Sequence, residues 1–273
     1  MSQTLHQRLK KYEEAYDTFI INKIPVIVKL NGRLFSAVTE NIQKPFCQKT
    51  RYLFNLTMLE LAKQIEGVVL IYGYSDKIFL VLRNDQTSEN GDAWFGNKVQ
   101  TLSSITSSVA TYKFMTSLLG MGSEGPNLEG SLTFAGFSFG IPTITEVINY
   151  LIYQQHICQQ TAINESVFYL LQNKFNQHTF AMIKSKTMEE KISILSDSNF
   201  NFDQIPLSYR FGALVYKIPE LIRTENGQRT KHRWVIDNDI PLISDSKEFI
   251  RTIITTGSDI FRPERDLKNE VKG

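Results

Sequence analysis

One hairpin decides the fold of this chain: GVVLIYGYSDKIFLVL, at residues 67–82. Two apolar runs, 67–72 and 78–82, flank the turn residues GYSD at 73–76. Short apolar runs that are bounded by turn residues are typical of buried strands. The sequence therefore predicts two antiparallel buried strands whose connecting turn carries a carboxylate, that of Asp76.

The segments around the hairpin alternate between strands and helices. A short apolar run at 25–30 ends at Asn31-Gly32 and indicates another buried strand. Helical spacing of apolar residues predicts helices over 48–64 and 94–115, and 132–139 has the pattern of a fourth strand. This order, strand–helix–strand–strand–helix–strand, is that of the ferredoxin-like arrangement. Because its helices lie on one face of the sheet, we expect the other face to be open for a ligand.

The remaining segments extend this predicted core at both ends. Apolar spacing predicts a leading helix within 1–19 and helices over 145–159, 164–173 and 187–195, and 211–243 has the pattern of paired strands. The predicted fold class is α+β, with a palm-like, ferredoxin-type antiparallel sheet and its helices. We assign 1–19 to an N-terminal helix, 20–140 to the palm-like domain, 141–245 to a helical and β-hairpin C-terminal extension, and 246–273 to a tail.

Composition places the chain among ordinary globular proteins. Its 273 residues carry a net charge of +2, are 42% hydrophobic and include two cysteines, Cys47 and Cys158. This composition excludes wholesale disorder, and two cysteines supply neither a disulfide framework nor a cysteine-based zinc site. No apolar run approaches the roughly 18 residues that span a bilayer, and the charged start lacks a secretory signal pattern. We expect a cytoplasmic protein without a membrane partner.

The end of the first strand and the hairpin turn hold the candidate site. In the predicted topology, Asn31 and Gly32 lie beside Asp76. Mg²⁺ ions that bridge phosphates are held by carboxylates on adjacent strand ends, and a glycine lets backbone amides approach phosphate oxygens closely. The residues alone leave a second interpretation open, because Asp next to Gly is also common in ordinary turns.

Several segments carry a family resemblance across nearly the whole chain. They are RLKKYE at 8–13, PVIVKLNGRLF at 25–35, KPF at 44–46, YGYSD at 72–76, WFGNKVQTLSS at 94–104 and HRWVIDNDIPL at 232–242. In order and spacing they resemble the tRNA-His guanylyltransferase family and its tRNA-editing relatives, which add nucleotides to RNA 5′ ends in the 3′–5′ direction. The resemblance implies a palm-like domain with Mg²⁺ and a nucleoside triphosphate such as GTP or ATP at the strand ends, and a tRNA or other RNA 5′ end as partner.

The resemblance also implies roles for individual residues. Asp76 and Asn31 would be the catalytic residues and, together with the Gly32 carbonyl, would hold Mg²⁺. The residues implied in triphosphate binding are Gly32, Arg33, Leu34, Phe35, Ser36, Lys44 and Ser75. The backbone amides from Gly32 to Ser36 would cradle the phosphates.

The chain departs from the family pattern at the metal-binding positions. The family's strand-end motif Asp-Gly-Arg is Asn31-Gly32-Arg33 here, and its hairpin motif Ser-Asp-Glu is Ser75-Asp76-Lys77. These changes remove about two negative charges and add one positive charge, and an amide oxygen brings no charge to a metal ion. We therefore expect Mg²⁺ binding to be weak or lost.

Charged positions are lost further along the chain as well. The family's His after Gly-Arg-x-Phe is Ser36, and its Asp after Lys-Pro-Phe is Cys47. Its Phe-Asp-x-Arg strand is FAGF at 134–137 here. Its Trp-Arg-Gln-Gln-Asp-Ala-x-Arg-Asn helix is IYQQHICQQ at 152–160, which keeps two glutamines and loses both arginines and the aspartate. Neither Tyr nor Gln replaces the bidentate pairing of arginine with phosphate, so the catalytic charges are lost while the scaffold persists.

Three functional hypotheses are open at this point. The first is a divergent, catalytically impaired family member that binds nucleotide or RNA 5′ ends. It would act as a non-catalytic subunit beside an active paralogue, in a homo- or hetero-oligomer. The second is an active Mg-dependent nucleotidyltransferase that adds nucleotides to tRNA 5′ ends, and the third is a protein-interaction module without nucleotide chemistry. The concentrated loss of charge within a preserved scaffold favours the first.

Overall fold

The structure is a computed structural model that describes residues 4–35, 45–84, 93–122, 132–172, 183, 185–224 and 227–258. Its strands are β1 (Val26–Arg33), β2 (Val68–Tyr74), β3 (Lys77–Leu82), β4 (Thr133–Gly140), β5 (Ala213–Thr224) and β6 (Gly227–Asp237). The α-helices of the described residues are α1 (Leu5–Glu14), α2 (Gln48–Gln64), α3 (Val99–Leu119), α4 (Ile144–Gln172), α5 (Met188–Asp197), α6 (Leu207–Arg210) and α7 (Lys247–Thr256).

The strands form one six-stranded antiparallel sheet in the order β4-β1-β3-β2-β5-β6. Strands β1 to β4, with α2 following β1 and α3 preceding β4, have the ferredoxin-like order. The predicted α+β, palm-like fold is therefore confirmed. The C-terminal hairpin of β5 and β6 pairs along β2, with Tyr216 opposite Leu70 and Ala213 opposite Gly73, so it extends the same sheet.

Successive side chains of a strand point to opposite faces of the sheet, so the hydrophobic core is divided between these two faces. On the first face, Leu30 of β1 and Leu80 of β3 pack in one cluster with Phe54 of α2 and Phe114 of α3. All four side chains are buried, so α2 and α3 cover this face as the ferredoxin-like pattern requires.

Helices also cover much of the second face, which corrects the expectation of an open sheet. Phe79 and Val81 of β3 share a buried cluster with Leu151 of α4 and Ile253 of α7. The cover ends near β4, where the Phe137 side chain is 55% exposed. The solvent-accessible part of this face therefore lies along β4, next to β1.

Two helices, α4 and α7, depart most from the predicted segments. The sequence predicts a break between 159 and 164, but α4 is continuous there. The reason is that Ile163 and Val167 bury their side chains in a small cluster with Ile183 and Leu195. α7 lies within the segment that the sequence assigns to the tail, and its Ile250 and Ile254 side chains are buried on the second sheet face. None of the described helices has the length and apolar character that crossing a membrane requires.

Candidate functional site

The ends of β1 and β3 meet at the hairpin turn, as the sequence predicts. Asn31 lies opposite Lys77 in the pairing of these strands. The Gly32 amide donates a 2.7 Å hydrogen bond to the Asp76 carbonyl oxygen. A Cβ at Gly32 would lie 3.3 Å from the Asp76 Cβ, so glycine suits this close approach. The structure thus brings Asn31, Gly32 and Asp76 together.

Asp76 forms an ion pair with its neighbour, Lys77. The Lys77 Nζ lies 2.9 Å from Asp76 Oδ1 and 5.6 Å from the centre of the Tyr74 ring. The Lys77 and Asp76 side chains are 29% and 27% exposed. The sequence identifies Lys77 as an added cation near the site, and the structure shows that it binds directly to the carboxylate proposed as a metal ligand.

The Asn31 side chain contains a buried oxygen atom that has no partner among the described residues. Its Oδ1 is shielded from solvent, and none of these residues donates a hydrogen bond to it. Buried polar atoms are nearly always paired, and leaving one unpaired costs about 1–3 kcal/mol. The atom therefore lowers the stability of the folded chain at the strand ends.

Two residues at the site have left-handed backbone conformations without being glycine. Leu34 has φ of 58° and Ser75 has φ of 46°. This conformation costs a residue with a side chain about 1–2 kcal/mol. Leu34 is also 59% exposed, so burial does not offset its cost. Strained residues of this kind concentrate at binding and catalytic sites.

Phe35 anchors the segment after β1 in the core. Its ring packs edge-on against Phe54, with centroids 5.1 Å apart, and against Phe114, with centroids 5.9 Å apart. The side chain therefore serves packing, and a contact between Phe35 and a phosphate would come from its backbone.

The other residues implied in triphosphate binding have different surroundings. The Gly32 amide is engaged by the Asp76 carbonyl, and Arg33 is exposed at the end of β1. Ser36 and Lys44 lie outside the described residues. The assignment of these residues and Ser75 to phosphate binding stays a prediction.

The residues at the strand ends do not fit a two-metal centre. Mg²⁺ requires near-octahedral oxygen coordination and is usually held by one or two carboxylates. Here the Asp76 carboxylate bonds to an ammonium group, and Asn31 supplies an uncharged oxygen. Within the described parts of the chain, no three His, Cys, Asp or Glu residues are grouped so that they could hold a metal ion.

Polar residues that sequence reasoning did not assign to the site support the hairpin from neighbouring helices. Both terminal nitrogens of Arg51 in α2 donate to the Gly73 carbonyl oxygen at 3.4 Å, and burial lowers the pKa of this guanidinium. The Tyr74 hydroxyl donates to Gln154 Oε1 of α4 at 3.0 Å, and burial raises the pKa of Tyr74. In the sequence, the match of Gln154 to a glutamine of the family's helix motif is the feature that points to this supporting role.

Gln155 connects α4 with three C-terminal backbone positions. Its Nε2 donates to the carbonyl oxygens of Phe211 at 3.3 Å and Pro241 at 3.2 Å. Its Oε1 accepts a 2.8 Å hydrogen bond from the Ile243 amide. Tyr72 of β2 donates to the same Phe211 carbonyl at 2.8 Å. The second surviving glutamine of the motif therefore has a structural role.

An exposed aromatic side chain occupies the position of a family arginine. In the β1–β4 pairing, Ala135 lies opposite Asn31 and Phe137 opposite Lys29. Because alternate residues share one sheet face, Phe137 lies on the same face as Asn31 and Lys77. Aromatic rings in such positions can stack on nucleobases. The site thus presents an exposed ring where the family pattern has a guanidinium group.

Comparison with known proteins identifies similar sequences. The profile of the tRNAHis guanylyltransferase family matches residues 6–139. A probable tRNA(His) guanylyltransferase of Dictyostelium discoideum is 22% identical over 253 residues, which cover 90% of this chain and 95% of that protein. A probable tRNA(His) guanylyltransferase of Mus musculus is 24% identical over 207 residues, which cover 73% of this chain and 67% of that protein.

Solved structures agree with these sequence matches. A bacterial tRNA(His) guanylyltransferase-like protein in complex with ATP superposes with a TM-score of 0.73 and 26% identity, covering 92% of this chain and 99% of that one. The corresponding complex with GTP has a TM-score of 0.70 and 25% identity. The tRNA(His) guanylyltransferase of Saccharomyces cerevisiae, at 19% identity, a TM-score of 0.65 and coverage of 87% of this chain and 98% of that one, has the same fold.

Proposed function

Because this chain belongs to the tRNAHis guanylyltransferase family, we propose that it binds a nucleoside triphosphate and the 5′ end of a tRNA or related RNA at the ends of β1 and β3. In this proposal the protein has little or no nucleotidyltransferase activity. It acts as a non-catalytic subunit of an oligomer that contains an active paralogue.

The observation that carries the binding proposal is the preserved backbone at the strand ends. The Gly32 amide bonds to the Asp76 carbonyl, and the strained Leu34 turn follows directly. Similar bacterial proteins were solved with ATP and with GTP. Backbone strain of this kind is common at ligand-binding sites, and its position directly after β1 supports a nucleotide site at the strand ends.

The loss of catalysis follows from the charges at the same strand ends. Phosphoryl transfer depends on metal ions and cationic groups that neutralise charge on the transferring phosphate and align the reacting oxygens. Lys77 neutralises Asp76 at 2.9 Å, and Asn31 replaces an acidic residue. The remaining residues can bind and orient a nucleotide, but they lack the carboxylates that would recruit catalytic metal ions.

Two exposed surfaces support the proposed partners. α1 buries none of its residues and exposes Leu5, Leu9 and Tyr12, an apolar stripe of the kind that marks contact with another protein. Arg229 and Lys231 are exposed on β6, at the edge of the sheet, where basic side chains can meet RNA phosphates.

A transfer assay tests the catalytic part of the proposal. The wild-type protein is incubated with Mg²⁺, nucleotide and a 5′-activated tRNA that lacks its first nucleotide, beside the Asn31→Asp, Lys77→Glu double substitution. We expect no product from the wild type. Product from the wild type would overturn the proposed impairment, while product from the double substitution alone would trace the loss to these two residues.

A binding assay tests the nucleotide part. Phe137→Ala should weaken binding of GTP or ATP because stacking on an aromatic ring contributes about 1–3 kcal/mol per base. Tyr112→Ala is the matched control, because Tyr112 is an exposed aromatic residue on α3. Equal affinities of these two variants would exclude Phe137 from the binding surface.

A further inference from the structure

We infer that the Lys77 ammonium group acts as a built-in cation of this site, so that the triphosphate binds without a divalent metal ion. The inference rests on the proposed function, since it concerns how the same site receives its nucleotide. It specifies a ligand form, the metal-free nucleoside triphosphate, that the family resemblance does not imply.

The position of Lys77 carries the inference. Its Nζ lies 2.9 Å from Asp76 Oδ1, and the residue faces Asn31 across the β1–β3 pairing. The group is therefore fixed at the carboxylate where a metal ion would otherwise bind. An ammonium has three N–H donors, and the bond to Asp76 uses one of them. The others can donate to phosphate oxygens at the accessible side of the group, which is 29% exposed.

The charge of the surrounding residues agrees with this assignment. Asp76 and Lys77 together contribute no net charge, Asn31 is uncharged, and Arg33 adds an exposed positive charge at the end of β1. An anionic triphosphate therefore meets no uncompensated carboxylate among the described residues at these strand ends, and their charges do not require a metal ion to mask repulsion. A divalent ion, by contrast, would have to share the Asp76 carboxylate with the Lys77 ammonium, whose positive charge repels it.

Titration of the full chain with GTP and with ATP, in EDTA and in excess Mg²⁺, tests the inference. We expect the wild-type dissociation constants in the two conditions to agree within a few fold. Lys77→Met should weaken binding in EDTA by about tenfold or more, the usual value of a charge-assisted hydrogen bond. Lys77→Arg keeps the charge and should stay close to the wild type.

Lys113→Met is the matched control for the loss of a lysine. Lys113 pairs with Glu60 at 3.7 Å and is 31% exposed, which is close to the exposure of Lys77. We expect this variant to bind as the wild type does, and melting temperatures of all variants verify that each is folded. A folded Lys77→Met variant with wild-type affinity in EDTA would overturn the inference.

The outcomes separate the inference from the function on which it rests. Wild-type binding that appears only with Mg²⁺ would overturn the built-in cation and leave nucleotide binding intact. Absence of binding in both conditions would overturn the proposed nucleotide binding itself. Binding in EDTA that depends on Lys77 would support both.

Discussion

Two side-chain amides of this protein have opposite surroundings. Gln155 is 3% exposed, and its amide group makes hydrogen bonds with three backbone groups. The Asn31 Oδ1 is also shielded from solvent but makes no hydrogen bond with the part of the chain that the structure describes. The first amide joins α4 to the segments before and after the C-terminal hairpin, and the second lies at the strand ends of the candidate site.

The difference separates the parts of the molecule that serve folding from those that serve a ligand. Around Gln155, folding itself satisfies the polar groups, so the region stabilises the native state. Around Asn31, the folded chain keeps an unpaired acceptor and the strained residues Leu34 and Ser75, which reduce its stability. Such features are typical of sites at which contacts with a bound molecule offset their cost in stability.

The largest effect in this comparison should come from Gln155→Leu. The substitution leaves the Ile243 amide and the Pro241 carbonyl without their partner, while the Phe211 carbonyl keeps the Tyr72 hydroxyl. Each buried unpaired group costs about 1–3 kcal/mol, so we expect the free energy of unfolding to fall by about 2 kcal/mol or more.

Urea denaturation measures this loss, with Gln64→Leu as control because Gln64 is exposed at the end of α2. The control should remain within about 0.5 kcal/mol of the wild type. A comparably small change for Gln155→Leu would contradict the structural role assigned to this amide.

The second prediction concerns the dependence of stability on pH, which we trace to Cys158 on the same helix as Gln155. Burial raises the pKa of the Cys158 thiol to about 12. An unfolded thiol ionises above about pH 8.5, while the folded thiol stays protonated, so stability falls as pH rises from about 8.5 towards 12. At about pH 10 this group should cost about 2 kcal/mol, and Tyr72, whose pKa burial also raises, acts in the same direction at higher pH.

Urea denaturation over this pH range, with the wild type and Cys158→Ala, measures the contribution. The variant should be less stable at neutral pH, because it loses a buried sulfur atom, but its stability should decline less steeply with pH. Parallel declines for the two proteins would show that Cys158 does not titrate in the expected window.

At the candidate site, we expect Leu34→Gly to increase the free energy of unfolding, by less than the two substitutions above decrease it. Glycine removes a left-handed conformational cost of about 1–2 kcal/mol and adds about 0.5–1 kcal/mol of chain entropy to the unfolded state. The variant should therefore be more stable by up to about 1 kcal/mol. Thermal unfolding of Leu34→Gly and of Leu34→Ala measures this gain. The alanine variant keeps a Cβ and should be no more stable than the wild type. Equal melting temperatures of the two variants would contradict the proposed backbone strain.

The smallest change in stability should come from Asn31→Ala. The substitution removes an unpaired buried acceptor, which raises stability, but it also removes packed side-chain atoms, which lowers stability. Because the two effects oppose each other, we expect the free energy of unfolding to change by no more than about 0.5 kcal/mol. Chemical denaturation measures it against Gln155→Ala. A loss similar to that of the glutamine variant would remove the contrast between the two amides.

Much of the fold follows from local patterns in the sequence. The apolar runs at 67–72 and 78–82 predict β2 and β3, and helical spacing at 48–64 predicts α2 with the observed bounds. Topology then predicts that Asn31 and Asp76 are neighbours, because strand pairing in the ferredoxin-like arrangement leaves few alternatives. The hydrogen bond from Gly32 to Asp76 bears out this expectation.

Other features depend on contacts that no local pattern encodes. The residues at 159–164 are polar enough to suggest a break, but the Thr161 hydroxyl bonds to the carbonyl of Ile157 and Ile163 finds a buried partner cluster, so α4 continues. The conformation of Leu34 runs against its own propensity, and the ion pair of Lys77 depends on side-chain placement. The sequence therefore predicts where the site lies but not its internal geometry.

The pairing of β5 with β2 has a consequence for the synthesis of the protein. The Tyr72 hydroxyl bonds to a carbonyl 139 residues later in the chain, and every residue of β2 is buried in the finished sheet. At about 5–20 residues per second, a ribosome needs roughly ten seconds or more to supply that partner. Throughout this interval the nascent chain carries an apolar strand with an unpaired edge, which makes it a substrate for chaperones that bind emerging polypeptides.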